Sequence, residues 1–150
     1  MNSVFDPAVV AELTARISNL APTTSPQWGK MSVDQMLAHC NVTYEMVYSD
    51  KHPKPGRFKR FLLSTFVKGA VVGPKPYGRS VPTAPQFRMV GAKDFELEKR
   101  RLVDYLHRVQ REGEGAFEGK ESNSFGALSS AEWNVMFYKH LDHHLTQFGV

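Results

Sequence analysis

The stretch SAEWNVMFYKHLDHHLTQFGV (130–150) decides the fold. Ser129 followed by Glu132 forms a capping box, so a helix opens here and runs to about 148. Trp133, Met136, Phe137, His140, His144 and Phe148 recur at three- and four-residue steps and mark its expected buried face. His140 and His144 are one turn apart, about 6 Å along the axis, so both rings can address one atom.

Working outward, Val9, Val10, Leu13, Ile17 and Leu20 predict an amphipathic helix over 6–20, with Pro7 at its first position. The prolines and glycine of APTTSPQWGK end it in a loop. Ser32 and Gln35 cap a second helix over 33–48, whose stripe is Val33, Met36, Leu37, Cys40, Tyr44 and Val47. Phe58, Phe61, Leu62, Thr65 and Phe66 draw the inward face of a third, which ends near Gly69. Residues 69–93 read as an ordered, irregular, proline- and glycine-rich loop of the kind that shapes a site. Asp94 caps a fourth helix, over 95–111, with Phe95, Leu102, Leu106 and Val109 inward and Glu96 and Arg100 paired outside. A polar, glycine-rich connector leads to the last helix. The expected fold is all-α: one domain over 1–150, a four-helix bundle with a long crossover loop and one extra short helix.

Composition narrows the function. At 150 residues, 41% hydrophobic and 23% charged, the chain has ordinary globular usage, which excludes a disordered or collagen-like protein. It has no run of roughly 18 apolar residues and no basic-then-apolar leader, so a cytoplasmic protein with no membrane partner is expected. Cys40 is the only cysteine, which excludes an intrachain disulfide and a thiolate zinc cluster and leaves nitrogen or oxygen to hold any metal. Nineteen Lys and Arg against 15 Asp and Glu give +4. The basic residues read as dispersed, with KHPKPGRFKR (51–60) the only local run and a solvated loop; no nucleic-acid partner is expected, since Phe58 belongs to the core stripe.

Two histidines on an apolar face either close core hydrogen bonds or bind an ion. Each orphaned ring nitrogen costs roughly 1–3 kcal/mol, and one divalent ion satisfies one nitrogen per ring. His39, midway along the second helix, is the candidate third ligand. Thr43, one turn further, would bond a water or substrate, or simply lie on the surface. Gln147 orients a ring or caps the helix end; His143 points roughly 60° aside. Tyr44 and Tyr48 are pocket candidates, while His52 and His107 read as solvated and Cys40 as a small buried hydrophobe. No carboxylate accompanies the histidines on either helix, which disfavours peptide hydrolysis.

These residues resemble the DinB/YfiT-like superfamily of metalloenzymes, in its branch of short domains of unknown function. QWGKMSVDQMLAHC (27–40) is similar to that family's loop tryptophan and first histidine, here Trp28 and His39. YKHLDHHLTQFG (138–149) matches its terminal pattern through His140, His144 and Gln147. PTAPQFRMVGAKDFELEKRRL (82–102) resembles its crossing loop and following helix, whereas Asn123, Ser124 and Phe125 depart from the His-Pro-Phe-type segment expected before the last helix.

The resemblance implies a divalent zinc or nickel ion on His39, His140 and His144, with Trp28 and Gln147 beside it; Thr43, Tyr44 and His143 are expected around it from their places on the helices. It also implies a homodimer and a low-molecular-weight thiol as co-substrate. The expected function is activation of a thiol or water against a small electrophilic substrate, of S-transferase, isomerase or hydrolase type. The alternative is a non-catalytic metal-binding bundle acting as a dimeric interaction or stress-related module.

Overall fold

Local caps set the helix starts. Asp6 accepts from Ala8 N–H at 2.8 Å and opens α1 (Pro7–Ser18), while Ser32 and Gln35 open α2 (Val33–Tyr48). The computed structural model describes residues 2–150. After α2 come α3 (Arg57–Phe66), α4 (Lys68–Val72), α5 (Phe95–Glu112), and α6 (Ser130–Gln147). Asp94 accepts from Leu97 N–H at 3.0 Å to cap α5, and the Ser129–Glu132 box caps α6.

Helices α1, α2, α5 and α6 form the bundle around Leu13, Ile17, Met36, Leu37, Leu102, Leu106, Phe137 and Leu141. Each such side chain contributes roughly 1.5–3 kcal/mol on burial. α2 lies between α5 and α6, so it is buried on all sides from Met36 to Glu45, and this carries His39 inside although it sits off the apolar stripe. The all-α reading therefore holds, and α4 is the extra short helix. Among the described residues no helix is long and apolar enough to cross a membrane.

Several expectations need correction. The buried stripe of α6 runs through Trp133, Phe137, Leu141, Leu145 and Phe148, with Met136 only partly covered; His140 and His144 flank it on the side facing α2. The apolar face of α3 is not in the core: Phe58 is 76% exposed, Phe61 63% and Phe66 76%, because α3 packs mainly on α4 and its half-buried side is Arg60, Leu63 and Ser64. The connector before α6 holds an antiparallel hairpin, β1 (Lys120–Ser122) and β2 (Gly126–Leu128). Its short strands lack any period-two run long enough to announce them. Arg101 bridges Glu98 and Glu45, and among the described residues no Glu96–Arg100 ion pair forms. His52 bonds the buried Glu45 carboxylate at 2.7 Å instead of standing free in solvent.

The crossover after α4 is ordered by Lys139 of α6, whose Nζ donates to the carbonyls of Ala70 (3.0 Å), Gly73 (2.6 Å) and Lys75 (3.1 Å) and sits 4.4 Å over the Tyr77 ring. A 3-10 turn at Pro85–Phe87 then brings the chain back across α2.

Candidate metal centre

His39 comes from the middle of α2, and His140 and His144 from the last two turns of α6, where the helix dipole favours a cation. One ring nitrogen of each lies within 4.8 Å of those of the other two. His39 Nε2 and His140 Nε2 are 3.0 Å apart. Tetrahedral zinc with bonds of about 2.0–2.1 Å would set such nitrogens about 3.3 Å apart, so small ring rotations seat an ion.

The other nitrogen of every ring is already held. His39 Nδ1–H donates to Phe87 O at 2.8 Å, and because a carbonyl only accepts, the proton is on Nδ1 and the Nε2 lone pair faces His140. His144 Nδ1–H donates to Gln147 Oε1 at 2.7 Å, and Gln147 Nε2 donates to Trp28 O at 2.7 Å, which fixes the amide's orientation. His140 Nδ1 is 3.1 Å from Thr43 Oγ1. This hydroxyl donates when His140 carries its proton on Nε2, toward His39, and accepts when the proton moves to Nδ1. Three Nδ1 atoms anchored from outside and three Nε2 atoms turned inward fit a divalent ion, since metal-bound imidazoles need their remote N–H held in this way.

Two of the rings are buried, His39 5% and His144 7% exposed, and His140 is half-buried. Burial, reinforced by the neighbouring histidines, pushes His144 down to about 3 and His140 well below the usual imidazole range; burial also lowers His39. All three are therefore neutral at pH 7, and His140 presents an Nε2 lone pair to a metal once its proton moves to Nδ1, where Thr43 accepts it.

Phe87 and Tyr77 cover the cluster from the crossover, with ring centroids 5.2 Å from His39 and 6.4 Å from His140. His143 stays out of the ligand set, its ring 5.9 Å from Trp28 and 5.7 Å from Tyr77. Tyr44 lies in the aromatic core, stacked on Tyr105 and Phe137 at 5.4 and 5.1 Å. Tyr48 donates to Glu112 at 2.8 Å, and Cys40 is buried, its thiol pushed up by desolvation. Asn123 donates to His52 O at 2.8 Å and so ties the hairpin turn to the loop after α2.

Sequence reading missed Phe87 and Tyr77. Phe87 acts on His39 through its backbone carbonyl, which no residue type announces. The signal for Tyr77 was its place between Pro76 and Gly78, as one of the two aromatics, with Phe87, in the proline- and glycine-rich loop.

The family model described as Protein of unknown function (DUF1569) matches residues 8–149. No curated protein and no solved structure matches the chain.

Proposed function

The chain belongs to the family described as Protein of unknown function (DUF1569); from its histidine cluster and from the resemblance of its motifs to the DinB-like superfamily, we propose that it is a divalent-metal-dependent enzyme acting on a small electrophilic substrate. His39, His140 and His144 would hold the ion, zinc or nickel by the resemblance to the DinB-like superfamily, since imidazole equally suits copper and iron. The observation that carries this reading is the convergence of three neutral rings whose remote nitrogens are each fixed by Phe87, Thr43 and Gln147. When bound, the ion supplies a nucleophile at neutral pH by lowering the pKa of a thiol or water.

The chain's own residues do the rest. Gln147 and the Phe87 carbonyl orient two rings, and Thr43 lets the third change tautomer without an unpaired proton. Tyr77 and Phe87 shield the cluster on the crossover side, and His140, the half-buried ring of the three, is the one that a substrate can reach. A low-molecular-weight thiol as co-substrate and a homodimer complete the proposal.

The test is elemental analysis of untagged protein beside His144→Ala. About one transition metal per chain in the wild type and little in the variant is expected. Negligible metal in both, with reconstitution failing too, overturns the reading.

A second reading, a non-catalytic metal-binding bundle, draws on the burial of His39 and His144. It predicts full metal content with no turnover in a thiol-transfer screen.

A further inference from the structure

Residues 51–93 contain ten Lys and Arg and no Asp or Glu. The remaining nine basic residues face all 15 acidic ones, so the chain divides into a segment of +10 and a body of −6. The basic residues that read as dispersed are in fact concentrated in residues 51–93, and α3 lies within that segment.

On a 3.6-residue turn, Phe58, Phe61, Leu62, Thr65 and Phe66 share one face of α3, with Arg57 and Lys59 about 100° to either side of it. Phe58, Phe61 and Phe66 are all more than 60% exposed. Arg60, on the opposite side, pairs with Glu121 at 2.7 Å and fixes the helix to the hairpin, so the apolar face points away from the body. Among the described residues Arg57, Lys59 and Lys54 make no ion pair. A soluble monomer seldom exposes three phenylalanines on one helix without a use for them.

We propose that α3 lies on the surface of an anionic lipid bilayer, its phenylalanines in the acyl boundary and Arg57 and Lys59 reaching up to the headgroup phosphates. Long basic side chains flanking an apolar helix face suit that depth. The charge decides between occupants. A second copy of the chain, meeting α3 about a two-fold axis, would bring one +10 segment against another. A single-stranded nucleic acid would want a groove in which bases stack on the aromatic rings, and the shallow cavity beside this face, lined by Arg57, Arg60, Phe61 and Phe125, leaves Phe58 and Phe66 outside it. The expectation of no membrane partner rested on the lack of a spanning segment and does not bear on a helix lying flat.

The test is flotation of the untagged full-length chain with vesicles of phosphatidylcholine, with and without one-third phosphatidylglycerol, at two salt concentrations. Expected is attachment to the anionic vesicles only, weakened by salt, each basic side chain at the surface strengthening it about fivefold. Replacing Phe58, Phe61 and Phe66 by Ser should weaken attachment at least about a hundredfold while leaving the thermal midpoint and metal content unchanged. Attachment that ignores the serine substitutions, or is absent from anionic vesicles, overturns the proposal. So does a dimer in gel filtration that the same substitutions dissociate, or binding confined to a single-stranded oligonucleotide.

Discussion

Gln147 joins two ends of the fold: its Oε1 accepts from His144 Nδ1–H at 2.7 Å while its Nε2 donates to Trp28 O at 2.7 Å. The amide thereby ties the last turn of α6 to the loop before α2 and fixes the tautomer of a ligand. Gln147→Ala should weaken metal affinity about 10–100-fold, measured by competition with a chromophoric chelator. Unchanged affinity would reduce Gln147 to a helix-end cap. Gly29→Ala should act on the same link, since a Cβ there would stand 2.7 Å from Gln147 Nε2 at a φ of +84°.

Thr43 is the hydroxyl that can both give and receive. Thr43→Val leaves His140 Nδ1 without a partner at 3.1 Å, whereas Thr43→Ser preserves it. We expect the valine variant to lose metal affinity by about tenfold and the serine variant to stay near wild type. Imidazole nitrogen chemical shifts should report whether the His140 proton moves from Nε2 to Nδ1 when metal is added; a fixed tautomer in the wild type would refute the switch.

The metal-free protein should weaken in mild acid. Burial holds the histidines below their ordinary value near 6.5, His144 at about 3. Unfolded chains then bind protons that the folded state refuses, so stability is full above about pH 6.5 and falls progressively toward pH 3. Urea titrations of metal-free wild type and His144→Ala across pH 4–7 should show a shallower slope for the variant. Parallel slopes would place the acid sensitivity elsewhere.

Glu45 supplies a separate acid response at lower pH. Burial alone would raise its pKa, but hydrogen bonds from Arg101, His52 and Lys51 override it and hold the carboxyl at about 2. A carboxylate depressed from 4.5 contributes stability above that value and loses it as pH falls toward 2, in all about 3 kcal/mol. Glu45→Gln should lower the midpoint at pH 7 and flatten the curve between pH 4.5 and 2. An equally steep curve in the variant would show that other carboxylates carry the acid limb.

How far the sequence could be read follows from where each signal resides. Helix boundaries at Pro7, Val33, Phe95 and Ser130 were legible because caps act within four residues of chain. His140 and His144 were legible as a pair because helical spacing alone puts them on one side. The inward face of α3 was misread: its periodicity says that the helix is two-sided, but not that the bundle leaves no neighbour to cover the apolar side. The hairpin was hidden for the opposite reason, its strands being too short for any pattern to form.

The sequence by itself determined the helical bundle, the turn-spaced histidines and the family membership, because caps, periodicity and motif spacing are written in consecutive residues. Only the tertiary structure decided that His39 meets them across α2, and that Phe87, Thr43 and Gln147 hold the three outer nitrogens. It alone left Phe58, Phe61 and Phe66 in the open. Those outcomes depend on contacts between residues far apart in the chain, which are fixed by how faces pack and not by the order of residues along any one of them.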